Sequence, residues 1–169
     1  LIALKKSKRL QLLVDSLTLK IPIAGTIIQY YNLANANRTL SLLLKSGVTL
    51  SEALSIVSDT SGNLVYKKEY HTLMETVNRG EKMSSYLHKD RKLFPDILTQ
   101  IIGVGEKSGD LQNSLLYLAQ FYENEVDDFT KNLSNMVEPV LMVFMGILVG
   151  FIAISIITPI YGITQNLHT

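Results

Sequence analysis

Val140-Leu141-Met142-Val143-Phe144-Met145-Gly146-Ile147-Leu148-Val149-Gly150-Phe151-Ile152-Ala153-Ile154-Ser155-Ile156-Ile157 is a run of eighteen residues in which nothing is charged and Ser155 carries the one polar side chain. As a helix rising about 1.5 Å per residue it is roughly 27 Å long, close to the ~30 Å hydrocarbon core of a bilayer. Twelve of the eighteen are Val, Leu, Ile or Phe. Each favours the bilayer centre by about 0.3–0.6 kcal/mol, and Gly146, Gly150 and Ser155 do not cancel that sum. No Asp, Glu, Lys, Arg or His lies between Glu138 and His168, which leaves room for tilt. The stretch predicts a membrane span, assigned to residues 137–164. The alternative is a buried central helix of a soluble protein. It would need neighbours able to cover a helix that is apolar on every side, and the other segments are too few and too polar.

Working outward, all sixteen Lys and Arg lie at or before Lys131. By the positive-inside rule the bulk of the chain then faces the cytoplasm, and residues 165–169 form a short extracytoplasmic tail. Residues 26–136 predict a compact six-helix cytoplasmic bundle, and residues 1–25 the end of a preceding span plus an amphipathic connector. The chain reads as a fragment, with Leu1 to Leu4 either the last turn of an earlier span or a solvated terminus. A formal charge of +1 gives no global reason to expect nucleic acid. With no cysteine, disulfide frameworks, thiolate zinc sites and cysteine nucleophiles are excluded.

The fold class predicted for the bundle is all-α. Leu10, Leu13, Val14 and Leu17 recur at helical spacing in the connector, which ends before Pro22. Leu33, Ala36, Leu40, Leu43 and Leu44 mark one face of the next helix, and Gly47 suits a left-handed cap behind it. Thr49-Leu50-Ser51-Glu52 fits a capping box. A third helix covers 64–79, a short fourth 83–88, and a fifth starts at Phe94-Pro95 with Ile97, Leu98, Ile101 and Ile102 inward and Gly109 at its end. Leu111, Leu115, Leu118, Tyr122, Val126, Phe129, Leu133 and Met136 form a packing seam along the sixth. Pro139 is expected to bend or restart the helix where it enters the membrane.

The motifs tested for chemistry fail. Gly103-Val104-Gly105-Glu106-Lys107-Ser108-Gly109 holds Glu106 and Ile101 where a phosphate loop needs glycine, and Ser108 at the third glycine of a dinucleotide fingerprint. What remains is a glycine-rich helix end bearing a carboxylate that the helix dipole disfavours. It is either a tight turn or a place where Glu106 makes a contact particular to the fold. Glu123, Glu125, Asp127 and Asp128 scatter around two turns and read as a solvated face. His71, His88 and His168 lack ligand neighbours at metal spacing. No metal, cofactor or catalytic residue is predicted. Gly146 and Gly150 make a small-xxx-small pair that admits another helix, from the same protein or from a second copy.

Several pieces agree, in order and spacing, with one family. They are Leu19-Lys20-Ile21-Pro22-Ile23-Ala24-Gly25, Arg38-Thr39-Leu40 leading to Leu44-Lys45-Ser46-Gly47-Val48, and Leu50-Ser51-Glu52-Ala53-Leu54. Gly80 before Met83-Ser84, Phe94-Pro95 and Gly105-Glu106-Lys107-Ser108-Gly109-Asp110-Leu111 follow, then Tyr122-Glu123, Glu138-Pro139 and Thr158-Pro159-Ile160. Over nearly its whole length the chain resembles the second cytoplasmic domain and final span of the inner-membrane platform proteins of type II secretion and type IV pilus assembly, the GspF/PilC family. The resemblance implies a six-helix bundle normally present twice, anchored among three spans, oligomeric and without catalysis. It also implies coupling of a cytoplasmic ATPase to pilin or pseudopilin assembly. A single bundle departs from that pattern. Positions expected to resist substitution are Gly47, Glu52, Gly105, Glu106, Gly109, Glu123, Glu138, Pro139, Gly146 and Gly150. The rival readings are a membrane transporter subunit and a soluble helical adaptor with a buried C-terminal helix.

Overall fold

The structure, a computed structural model, describes residues 8–19, 21 and 24–165, with side chains for 12, 14–19, 21 and 24–155. Leu1 to Leu4, Lys5, Lys6 and the tail 166–169 lie outside the described residues. Among those described there is no strand, and seven helices follow in order. They are α1 (Lys8–Thr18), α2 (Ala24–Lys45), α3 (Leu50–Thr60), α4 (Leu64–Asn78), α5 (Met83–Leu87), α6 (Asp96–Ser108) and α7 (Leu111–Gln165). The expectation of six helices followed by a separate span is corrected in one respect. The sixth bundle helix and the apolar stretch are one 55-residue helix. Pro139 does not restart it, because the missing N–H removes one hydrogen bond from a ladder whose neighbours persist.

Local signals set most boundaries. Behind α2, Gly47 sits at φ 84°, with Val48 N–H donating to Leu43 C=O and Gly47 N–H to Leu44 C=O, each at 3.0 Å. This is a Schellman closure that a side chain at Gly47 would strain. Gly80 closes α4 in the same way, and Gly109 ends α6 at φ 74°. At the start of α3, Thr49 Oγ1 accepts from Glu52 N–H at 3.3 Å. The reciprocal bond of a capping box, from the Glu52 carboxylate, is absent among the described residues.

Contacts divide the chain between Asp127 and Asp128. The first unit has a continuous core to which α2 to α7 all contribute, including Leu33 and Leu40, Leu54, Tyr66 and Leu73, Leu87, Phe94 and Ile102, and Leu115, Leu118 and Tyr122. Tyr66, Tyr70 and Phe94 stack around one another with ring centres 6.0–6.3 Å apart. The inward face expected for α6 is right for Leu98 and Ile102, whereas Ile97 is exposed. The seam on α7 is right through Tyr122, but Leu133 and Met136 are exposed. A heptad rhythm marks a surface able to pack, and it does not say whether another helix covers it.

The second unit, from Asp128 onward, is the remainder of α7. Phe129 is half-buried, and from Leu133 through Ile154 every large apolar side chain is exposed. The apolar window of α7 is the one helical stretch among the described residues long and apolar enough to cross a membrane, and none of it is buried within the chain.

Candidate functional site

The end of α6 joins three helices. Glu106 lies in its last turn, where the partial negative charge of the helix C-terminus disfavours a carboxylate. Its partner is the start of α5. Met83 N–H donates to Glu106 Oε1 at 2.6 Å, Ser84 N–H to Oε2 at 3.3 Å, and Ser84 Oγ to Oε2 at 2.5 Å. The N-cap position of α5, Lys82, contributes no side-chain bond, so Glu106 supplies from another helix the cap that α5 lacks. Opposite helix ends thus satisfy each other through one side chain.

The glycines of this segment have separate duties. A Cβ on Gly105 would stand 2.5 Å from Ser114 Oγ, 2.8 Å from Ser114 Cβ and 3.1 Å from Leu111 Cα. Gly105 therefore lets α6 approach the first turn of α7. Gly109 has open space around it but a positive φ, so it is needed for the backbone turn. Of the two alternatives for Glu106, the contact particular to the fold is the one present.

Glu123, read as part of a solvated face, is half-exposed but paired. Arg38 of α2 grips it with two parallel hydrogen bonds, Nε to Oε1 at 2.9 Å and Nη2 to Oε2. The hydrogen bond to the carboxylate raises the already high pKa of the guanidinium. This fork pins α2 to α7 within the bundle. Asp127 and Asp128 are exposed, and no group of three metal-ligating side chains converges among the described residues. His71 lies 3.5 Å from Glu75, and His88 neighbours Arg91 and Asp96.

Three further residues matter that sequence reasoning did not single out as site positions. Asp15 of α1 accepts from Leu64 N–H at 2.8 Å, joining Asn63, whose Oδ1 accepts from Val65 N–H at 2.9 Å, in capping α4. Gln29 of α2 donates to the carbonyls of Lys92 and Leu93, tying down the loop before α6. Arg38 was noted only as part of a motif. Each bond spans dozens of residues, and no local spacing announces it. A cleft of about 720 Å³ opens beside α1, lined by Asp15, Tyr31, Asn32, Asn35, Thr39 and the turn after α3. Its lining mixes amides and hydroxyls with apolar surface, Ile28, Ala36 and Val57 among it, and the Asp15 carboxylate is already engaged.

Glu138, Pro139, Gly146 and Gly150 all lie on α7 in the second unit. Gly146 and Gly150 have nothing within 4 Å of where a Cβ would be, so among the described residues no helix occupies that groove.

Comparison with known proteins agrees with the motif order. The profile of the family described as "Type II secretion system (T2SS), protein F" matches residues 36–159. The type IV pilus assembly protein PilC of Pseudomonas aeruginosa is 34% identical over 157 residues, covering 93% of this chain and 42% of that protein. PilC of Thermus thermophilus is 32% identical over 154 residues, 91% of this chain and 38% of the relative. The type II secretion system protein F of Pseudomonas aeruginosa is 29% identical over 147 residues, 87% of this chain and 36% of the relative. The chain thus spans about two fifths of the length of the curated relatives it matches.

Proposed function

The chain belongs to the type II secretion system protein F family, and from that premise we propose that it works as a non-enzymatic inner-membrane platform of a type II secretion or type IV pilus-like machine. Residues 26–136 form the cytoplasmic bundle, 137–164 cross the bilayer, and 165–169 emerge outside. The bundle meets a cytoplasmic ATPase, while the span and its Gly146/Gly150 face pack against pilin, pseudopilin or a second copy. Force from the ATPase passes through the platform to subunit assembly. No cofactor and no nucleic acid take part.

The observation that carries this reading is the contrast within α7, whose large apolar side chains from Val140 to Ile154 are all exposed, none of that window being buried among the described residues. Lipid satisfies such a surface and water does not. The arrangement of the bundle agrees: Glu106, Arg38 and Glu123 are spent on joining helices, which suits a body that transmits force. The duty assigned to Glu106 is to hold the start of α5, a reading its bonds to Met83 and Ser84 support.

The test uses the full-length protein in its own cell. Its deletion should abolish piliation or secretion. Glu106→Arg should weaken the same output at unchanged expression, by breaking the link between α5 and α6. Normal output after deletion would contradict the function, and normal output from the variant would remove Glu106 from it.

A further inference from the structure

The cleft in the first unit, of about 720 Å³, falls within the ~300–1,000 Å³ usual for ligand sites, and its polar groups are largely unspent. Asn32, Asn35 and Thr39 of α2 line it at spacings of three and four, on one face of the helix. At about 1.5 Å per residue the row is roughly 10 Å long. Asn35 and Thr39 make no side-chain hydrogen bond among the described residues, and Asn32 uses only Nδ2, which donates to Ile28 C=O at 2.7 Å. Tyr70 of α4 belongs to the same lining. It is 4% exposed, and its Oη is buried with no hydrogen-bond partner among the described residues. Unspent polar groups around a concave surface mark a place able to take further partners.

Charge narrows the choice of ligand. Asp15 is the one charged residue in the described lining, with no Lys, Arg or His beside it. Its Oδ2 accepts from Leu64 N–H, yet no cation pairs with it among the described residues. Tyr31, 60% exposed in the same lining, supplies a ring on which an ammonium or guanidinium can rest. A phosphate-bearing ligand meets no cation in that lining, which disfavours it. An asparagine amide carries both donors and an acceptor, as a peptide main chain does, and three extended residues at about 3.3 Å each match the row on α2. We propose that this cleft binds a short extended segment of a partner protein carrying a lysine or arginine, with Asn32, Asn35 and Thr39 holding its main chain and Asp15 and Tyr31 its cation. Every residue invoked lies in the first unit, so the inference does not depend on the membrane reading of α7.

The test is fluorine NMR on the full chain in nanodiscs, with fluorotyrosine in place of tyrosine and Tyr31→Phe, Tyr70→Phe and Tyr117→Phe used to assign three resonances. The probes are the blocked pentapeptide Ser-Ala-Lys-Ala-Ser, its counterpart with glutamate at the centre, and butylammonium. The lysine peptide should shift Tyr31 and Tyr70 saturably and leave Tyr117, exposed on α7, where it was. The glutamate peptide should shift none of them. Asn35 is exposed, so its charge can be changed without disturbing the core. Asn35→Asp should tighten the lysine peptide roughly two- to fivefold, and Asn35→Lys should weaken it by a similar factor. Absence of a saturable shift at Tyr31 and Tyr70 overturns the proposal, as does equal binding of the glutamate peptide or an affinity that ignores both Asn35 variants. Butylammonium binding as tightly as the lysine peptide also overturns it, since the row on α2 would then hold no main chain.

Discussion

Leu118 and Leu148 sit on the same helix and have the same side chain, yet Leu118 is 0% exposed and Leu148 is 41% exposed. Before Asp127, α7 is one wall of a core to which five other helices contribute. From Leu133 to Ile154 its large apolar side chains are all exposed. Hydrophobicity alone therefore does not tell a core helix from a membrane helix, whereas the supply of partners does. The largest expected effect follows directly. Leu118→Ala should cost about 2–5 kcal/mol in the thermal unfolding of the bundle, followed by circular dichroism on the full chain in nanodiscs. Leu148→Ala should leave that transition where it was. Equal losses at the two positions would erase the distinction between the regions.

Glycine sharpens the same contrast. Gly105→Ala drives a methyl into Ser114 and the backbone of Leu111, and overpacking of this kind costs about 1–3 kcal/mol. Gly146→Ala meets open space and should not move the bundle's unfolding at all. Should Gly105→Ala prove neutral in the same assay, the close approach of α6 to α7 would be wrong.

Much of this was open to sequence reasoning because its causes are local. The Schellman closure at Gly47, the left-handed end at Gly109 and the inward Leu and Tyr positions of α7 follow from spacing within a few residues. The partners of Glu106 and Glu123 were not legible. Glu106 reaches Ser84 and Glu123 reaches Arg38 across 22 and 85 residues, and no periodicity encodes which loop arrives opposite a carboxylate. The dipole argument pointed to a partner or a duty for Glu106 and left a simple tight turn equally open. The seam was read too far, to Leu133 and Met136, because a heptad reports an apolar stripe and not the helix that covers it. Of the two effects expected of Pro139, a bend or a restart, the restart does not occur, since a missing donor weakens a helix without ending one.

Alkaline pH separates the regions by a third route. Burial raises the pKa of Tyr66, Tyr70 and Tyr122 in the bundle. Tyr86 is pushed up to about 12, by burial first and then by the hydrogen bond it donates to Glu69 at 2.8 Å. An unfolded tyrosine titrates near 10. A raised folded value means the neutral form is favoured by folding, so this stability is whole below about pH 10 and drains away as pH rises toward 12. Residues 128–155 hold no tyrosine. Circular dichroism during a base titration should show tertiary signal lost in that window, and a bundle unchanged through pH 12 would contradict the burial of these rings. The smallest effect has the opposite sign. Tyr70 Oη is buried with no hydrogen-bond partner among the described residues, so Tyr70→Phe should be neutral or raise stability by up to about 1 kcal/mol. A clear loss on denaturant unfolding would show the hydroxyl is satisfied.

The claim beneath the comparison is that lipid covers the second unit, and extraction of cell membranes with alkaline carbonate addresses it directly. The treatment strips peripheral proteins and loosens the tyrosine-rich bundle, but it leaves a spanning helix in place. The chain should remain in the membrane pellet, and Val149→Arg should shift it toward the supernatant, because a central charge opposes insertion by about 2.5–3.5 kcal/mol. Release of the unsubstituted chain into the supernatant would contradict the account.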